Sequence, residues 1–216
     1  MVIRRFPDPD KAPPEGILAV GGDLEVDSLR LAYGQGIFPW PIPDLGLAWF
    51  CPDPRAILEF SNLHIPRSLK KVQKRRPFSL SIDRAFSEVI AACSGQPRPG
   101  QDGTWITPDM IAGFCDFHQA GFAHSVEVWE GRDLVGGLYG VCTAGVFCAE
   151  SMFHVRPNAS KIALLYLVDF LKSKGATWID IQVMTPHMQR LGATEISREN
   201  FLKKLAASQA MGLKLF

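Results

Sequence analysis

The stretch from Phe147 to Met184 constrains this chain more than any other. It parses as a strand, a long apolar helix and a second strand, which together make one strand–helix–strand crossover. Asn158 or Ser160 is placed to cap the helix. Ile162, Leu164, Leu165, Leu167, Val168, Phe170 and Leu171 make it apolar on more than one side, so it belongs inside a domain, against a sheet. Lys172 and Lys174 suit the negative end of its dipole, and Gly175 stops it. The second strand alternates. Ile179, Ile181 and Val183 point one way; Trp178, Asp180, Gln182 and Met184 point the other. A carboxylate and an amide two residues apart therefore share a face. Burying them costs free energy unless they are paired or in use, so the chemistry is expected on this strand.

Upstream, residues 1 to about 56 are rich in Pro and Gly, with one helix from Asp27 to Tyr33. They read as a small loop-rich module whose aromatics (Phe38, Trp40, Trp49, Phe50) pack on something larger. From residue 57 the pattern changes. A short strand, Ile57 to Phe60, precedes a partly helical basic stretch and a strand from Phe78 to Ile82. Phe86, Val89, Ile90 and Cys93 fall at helical spacing, and Thr107-Pro108 opens the next helix, lined by Met110, Ile111, Phe114 and Phe117. Ser125 to Trp129, Leu134 to Cys142 and Val146 to Phe153 are strands joined by connections of hairpin length. After the crossover come a helix from Ser197 to Ser208 and a closing strand over Gly212 to Phe216. Helices, an antiparallel meander, a helix and a parallel strand give an α+β fold in the order of a GNAT-type acyltransferase domain: a mixed sheet with flanking helices. Order alone licenses no reaction.

Charge separates what that scaffold could bind. The net charge is only +1, yet no acid lies between Phe60 and Ile82, where Arg67, Lys70, Lys71, Lys74, Arg75 and Arg76 cluster. The other 17 Lys and Arg face 22 Asp and Glu, about −5, so the positive charge is local. A charge run is commonly a solvated helix face; six cations without an interleaved acid point instead to a nucleic acid. The turn where GNAT enzymes seat coenzyme A pyrophosphate corresponds here to His154 to Ser160, without a glycine, so that carrier is not expected. Five scattered cysteines, none in a Cys-x-x-Cys pair, argue for a reducing compartment and against a zinc site. No secretory signal and no membrane span are legible, so a cytoplasmic protein is expected.

Single residues are less decisive. Glu150, beside Ser151 and Met152, either holds a cationic substrate group or forms a salt bridge on the rim; spacing leaves both open. Cys148 has nothing beside it to make it reactive and reads as a packed thiol. His124 and His187 are isolated, and both read as hydrogen-bonded structural residues.

Eight short stretches in order carry a resemblance. They are Gly21-Gly22-Asp23-Leu24, Gly36-Ile37-Phe38-Pro39-Trp40, Cys51-Pro52-Asp53-Pro54-Arg55, Gly103-Thr104-Trp105-Ile106-Thr107, His124 to Trp129, Glu150-Ser151-Met152-Phe153, Asn158-Ala159-Ser160-Lys161 and Leu191-Gly192-Ala193. With them the chain resembles the bacterial leucyl/phenylalanyl-tRNA–protein transferases over nearly its whole length.

That resemblance implies a small N-terminal domain over 1–56 and a GNAT-like catalytic domain over 57–216. It implies transfer of Leu or Phe, and Met less well, from aminoacyl-tRNA to proteins with N-terminal Arg or Lys, marking them for N-end rule degradation. The enzyme would be a monomer, off the membrane, needing no cofactor and no metal. The aminoacyl side chain would enter a pocket of Leu138, Phe147, Met152, Leu164, Leu167, Leu171 and Ile179, and Trp40 and Trp105 would stack on the terminal adenine. Arg67, Lys70, Lys71, Lys74, Arg75 and Arg76 would hold the acceptor stem. Gln182 would orient the attacking α-amine and Asp180 would hold Gln182, with Glu150 near the basic N-terminal residue. Better-known members carry Asn where this chain has Thr185, and Cys where it has Ile181. The rival readings are a coenzyme A-dependent N-acetyltransferase and a non-catalytic reader of tRNA or protein N-termini.

Overall fold

The computed structural model describes residues 2–96 and 104–216. Gly103, part of one motif quoted above, lies outside them. The strands are β1 (Ile17–Val20), β2 (Phe38–Ile42), β3 (Gly46–Phe50), β4 (Arg55–Glu59), β5 (Ser79–Ile82), β6 (Ala123–Glu130), β7 (Asp133–Thr143), β8 (Val146–His154), β9 (Trp178–Gln182) and β10 (Thr194–Ile196). The helices are α1 (Val26–Gly34), α2 (Arg67–Arg75), α3 (Phe86–Ser94), α4 (Pro108–Gln119), α5 (Ala159–Ser173), α6 (Pro186–Arg190) and α7 (Arg198–Ala210).

Two sheets result. A three-stranded antiparallel sheet, in the order β1-β3-β2, belongs to the N-terminal stretch, and the remaining strands form a seven-stranded sheet, β10-β4-β9-β8-β7-β6-β5. Only β8 and β9 run parallel, as the crossover through α5 requires. This is the mixed α+β architecture expected, with helices on both faces. Fully buried α5 side chains, Leu164, Leu167, Val168 and Leu171, share a core with Val126, Val128, Leu138 and Ile179 of the sheet. Gly136 of β7 permits the close approach: a Cβ there would stand 2.5 Å from the Cβ of Ala159 at the start of α5.

On the opposite face, α1, α3 and α4 pack in a second core that runs without a break into the N-terminal stretch. Leu29, Tyr33 and Trp49 meet Phe86, Phe114 and Tyr139 there. Arg198, buried at the start of α7, ties that stretch down by donating to the carbonyls of Ala12, Pro13 and Cys51. Thr107 and Ser197 cap α4 and α7 through their hydroxyls. Asn158 holds the N-cap position of α5 in a left-handed conformation and makes no side-chain cap bond.

The expected closing strand is not formed. Gly212 to Phe216 has no ladder partner; instead Phe216 stacks on His124, with ring centroids 3.8 Å apart. The aromatic contact takes the place of a ladder there. The short β10, which extends the sheet beyond β4, and the single turn α6 were not expected at all. Neither is long enough to show a period. No helix among the described residues is long and apolar enough to cross a membrane.

Candidate active site

Two irregularities in the large sheet lie side by side and create the site. Strands β7 and β8 pair Tyr139 with Ser151 and Gly140 with Ala149, which leaves Glu150 as an extra residue with no partner across the ladder. Strands β4 and β9 pair Ala56 with Gln182 and Ile57 with Asp180, which leaves Ile181 extra in the same way. Such bulges re-aim side chains and interrupt pairing. Between the two bulged strands there is a single register pair, Cys148 with Asp180. Beyond it the cleft between β8 and β9 is bridged by side chains: Gln182 Nε2 donates to Glu150 Oε1 at 2.6 Å.

The backbone is strained at the same place. Gln182 has φ +66°, and the N–H of Val183 donates to the carbonyl of Ile181 at 2.7 Å. This is a three-residue γ-turn of the rare positive-φ kind, a conformation that persists only when its surroundings enforce it. The enforcing group is Asp180. It accepts the backbone N–H of Gln182 at 2.9 Å through Oδ1.

Asp180 is in turn fixed by Arg55. The guanidinium Nε donates to Oδ1 at 2.9 Å and Nη2 to Oδ2 at 2.6 Å, a bidentate pair with both residues 0% exposed. Arg55 sits between the rings of Phe38 and Phe201, 4.8 and 4.4 Å from their centroids, so aromatic faces take the place of water around the cation. The pair therefore lies behind the cleft, and Asp180 acts on it through Gln182. Sequence reasoning gave Arg55 no role. Its signal was a lone cation opening the apolar run Arg55-Ala56-Ile57-Leu58.

Tyr33, also unassigned from sequence, completes the arrangement from α1. Its hydroxyl donates to Glu150 Oε1 at 2.8 Å. Burial and the adjoining carboxylate hold the Tyr33 hydroxyl well above its ordinary pKa, so it stays a donor. The Glu150 residue keeps some exposure, but its Oε2 is enclosed and has no hydrogen-bond partner among the described residues. Desolvation pushes Glu150 up to about 8, against the lowering effect of the donors Tyr33 and Gln182. Burial holds the Cys148 thiol well above its ordinary range, which makes it the packed thiol expected.

Glu150 opens onto a cavity of about 430 Å³. Leu138, Met152, Leu164, Ile181, Val183 and Met188 supply its apolar wall; Ser160, Thr185 and His187 stand among its polar groups. Of the expected pocket residues, Leu138, Met152 and Leu164 line it. Phe147, Leu167, Leu171 and Ile179 do not and are buried in the core behind. The reason is geometric. Phe147 and Ile179 flank the one point where β8 and β9 are paired, and Leu167 and Leu171 lie one and two turns past Leu164. Thr185 lines the cavity and also caps α6, accepting the N–H of Met188 at 3.2 Å.

The remaining expected site residues lie outside the cavity. Trp40 and Trp105 stack on one another, with centroids 4.6 Å apart and planes 15° from parallel. A base between them would need about twice the ~3.4 Å rise of stacked bases, so none fits while the rings stay stacked; Trp40 is half-buried and Trp105 buried. The six cations, Arg67, Lys70, Lys71, Lys74, Arg75 and Arg76, are all exposed on and just after α2. Leu69 anchors that helix on Ile162 and Leu165 of α5, while Ser160 and Leu164 of α5 face the cavity. One helix thus forms the wall between the cationic surface and the site.

The sequence profile described as leucyl/phenylalanyl-tRNA protein transferase matches residues 57–206, and the profile for the N-terminal domain of that family matches residues 22–53. A leucyl/phenylalanyl-tRNA–protein transferase of Anaeromyxobacter sp. (strain Fw109-5) is 50% identical over 200 residues, covering 93% of this chain and 85% of that one. One of Oleidesulfovibrio alaskensis is 49% identical over 214 residues, covering 97% and 86%. Among solved structures, L-PGS from Bacillus licheniformis superposes with a TM-score of 0.42 at 14% identity, over 72% of this chain and 50% of that one.

Proposed function

Given that the chain belongs to the leucyl/phenylalanyl-tRNA protein transferases, aminoacyltransferases that draw on aminoacyl-tRNA, we propose that the cavity at Glu150 is where the amino acid changes hands. The observation that carries this is the enclosed Glu150 carboxylate, held by Tyr33 and Gln182 and opening onto an apolar cavity.

In this reading, the Leu or Phe side chain of the aminoacyl ester lies against Leu138, Met152, Leu164 and Met188. Met enters less well, since shape selection by a pocket is worth only about 1–3 kcal/mol per methylene. The acceptor's α-amine meets Glu150 Oε2 and is oriented by Gln182. An α-amine has an ordinary pKa near 8 (roughly 7.7–8.0), and Glu150 lies at about 8, so a proton passes between them at little cost. The free amine nitrogen adds to the ester carbonyl carbon. The bond from that carbon to the ribose oxygen then breaks; the leaving oxygen takes the proton that Glu150 received, and the nitrogen passes its surplus proton to Glu150 as the amide forms. The ester is already activated, so positioning supplies most of the rate, and no step calls for a metal or coenzyme.

The acceptors are proteins with N-terminal Arg or Lys, and the product is tagged for N-end rule degradation. Support for the acceptor class is the Glu150 carboxyl, the one acidic group among the described residues that line the cavity. The first 56 residues serve as a domain that presents Trp40 to the terminal adenine, and residues 57–216 carry the chemistry. The enzyme works as a monomer in a reducing cytoplasm, in keeping with five free cysteines. Transfer of labelled Phe from charged tRNA to matched peptides beginning with Lys, Arg, Asp or Ala tests this. Label on the Lys and Arg peptides alone is expected; label on the Asp peptide refutes the acceptor class.

The exposed cations of α2 hold the acceptor stem mostly through phosphates. Changing Lys70, Lys71 and Lys74 together to Gln then weakens tRNA binding and flattens its salt dependence. The slope of log K against log salt falls in magnitude by about 2–3, at roughly 0.9 per lost phosphate contact. Fluorescence anisotropy across a salt series measures it, and an unchanged slope removes α2 from the interface.

A further inference from the structure

We infer that His187 donates a hydrogen bond from Nε2 to the carbonyl oxygen of the aminoacyl ester, the atom that gathers negative charge as the amine adds. This rests on the reading of the cavity as the transfer site. Nε2 of His187 is enclosed and has no hydrogen-bond partner among the described residues, and the side chain lines the cavity that Glu150 lines. A buried polar atom left unpaired in a native fold needs a reason, and two side chains that line this cavity, Glu150 and His187, each carry one. Aminolysis of an ester needs an acceptor on the side of the amine and a donor on the side of the carbonyl. Glu150, which takes the amine's proton in this reading, is the first. An imidazole with its proton on Nε2 is the second.

Its surroundings suit that role. Burial, then the charges of Lys161 and Arg190, hold His187 below its ordinary pKa, so the ring stays neutral. The same cations that disfavour an imidazolium favour an oxyanion beside it. His124 shows the contrast. It meets Asp83 through Nδ1 at 2.7 Å and is the structural histidine expected of both.

Single-turnover transfer from saturating Phe-tRNA, with direct measurement of tRNA binding, separates the possibilities. His187→Leu is expected to slow the step by about 10²–10³-fold, the usual loss for one oxyanion donor, with the Kd for charged tRNA within about twofold. His187→Gln, which keeps a donor, is expected to recover at least about tenfold of this. His187→Asn, polar but shorter, replaces the Leu variant should that one lower the thermal midpoint. An unchanged rate, a loss matched by weaker tRNA binding, or a Gln variant no better than Leu overturns the inference. Glu150→Gln is run alongside. If it is inactive while His187→Leu is not, only the role of His187 fails; if neither matters, the cavity is not the transfer site.

Discussion

Replacing Arg55 with methionine destabilises the protein by about 3–5 kcal/mol, the usual cost of leaving one member of a buried ion pair without its partner. Among the described residues Asp180 has no other cation beside it, and it has no exposure through which water could take over. The same change removes activity for a separate reason. Asp180 fixes the Gln182 N–H and thereby the γ-turn that aims the Gln182 amide at Glu150. Once the carboxylate is protonated or displaced, that strained turn relaxes. Urea unfolding and transfer assays read the two effects independently. The double variant Arg55→Met with Asp180→Leu distinguishes them further: stability returns, because an apolar pair replaces an ionic one, while transfer stays lost. A single variant within about 1 kcal/mol of the parent, well under that cost, and still active would show that the pair does not position the site.

The second large effect belongs to Glu150→Gln. Transfer is expected to fall by about 10²–10⁴-fold, the range for losing a positioned proton acceptor. The shape of the pH profile also changes. In the parent, kcat/KM is a bell centred near pH 8, because one proton must be shared between a carboxyl at about 8 and an amine in the same region. The variant has only the amine to titrate, so the alkaline fall disappears and the rate reaches a plateau. Stability moves in step. Glu150 titrates higher in the folded protein than its ordinary 4.5, so its contribution is whole below that value and is lost as pH rises through about 8. Relative to the Gln variant, the parent therefore loses unfolding free energy between pH 5 and pH 9. A difference that stays constant with pH would mean that Glu150 is not held protonated by burial.

What the chain reveals in advance follows from the range of each signal. Alternation along β9 and the apolar surface of α5 are local, so the crossover and the strand bearing Asp180 and Gln182 were legible. The opening of α4 at Thr107-Pro108 was local too. Glu150 was visible as a residue but not as a bulge, because the extra position exists only in the register between β7 and β8. Arg55 and Tyr33 reach the site from 125 and 117 residues away, and no periodicity spans such gaps. Four of the pocket residues named from sequence lie behind the cavity for the same reason. Leu167, Leu171, Phe147 and Ile179 have the right chemistry, but the closing of the ladder at Cys148 and Asp180 shuts them behind the wall.

In genetic terms, the bulge that carries Glu150 amounts to one codon too many. With residue 150 deleted, the neighbours Ser151 and Ala149 would keep their partners Tyr139 and Gly140 in one unbroken antiparallel ladder. The sheet would be more regular and would have nothing to do. Descent can thus make or erase this site by a single in-frame insertion or deletion, leaving the fold around it intact.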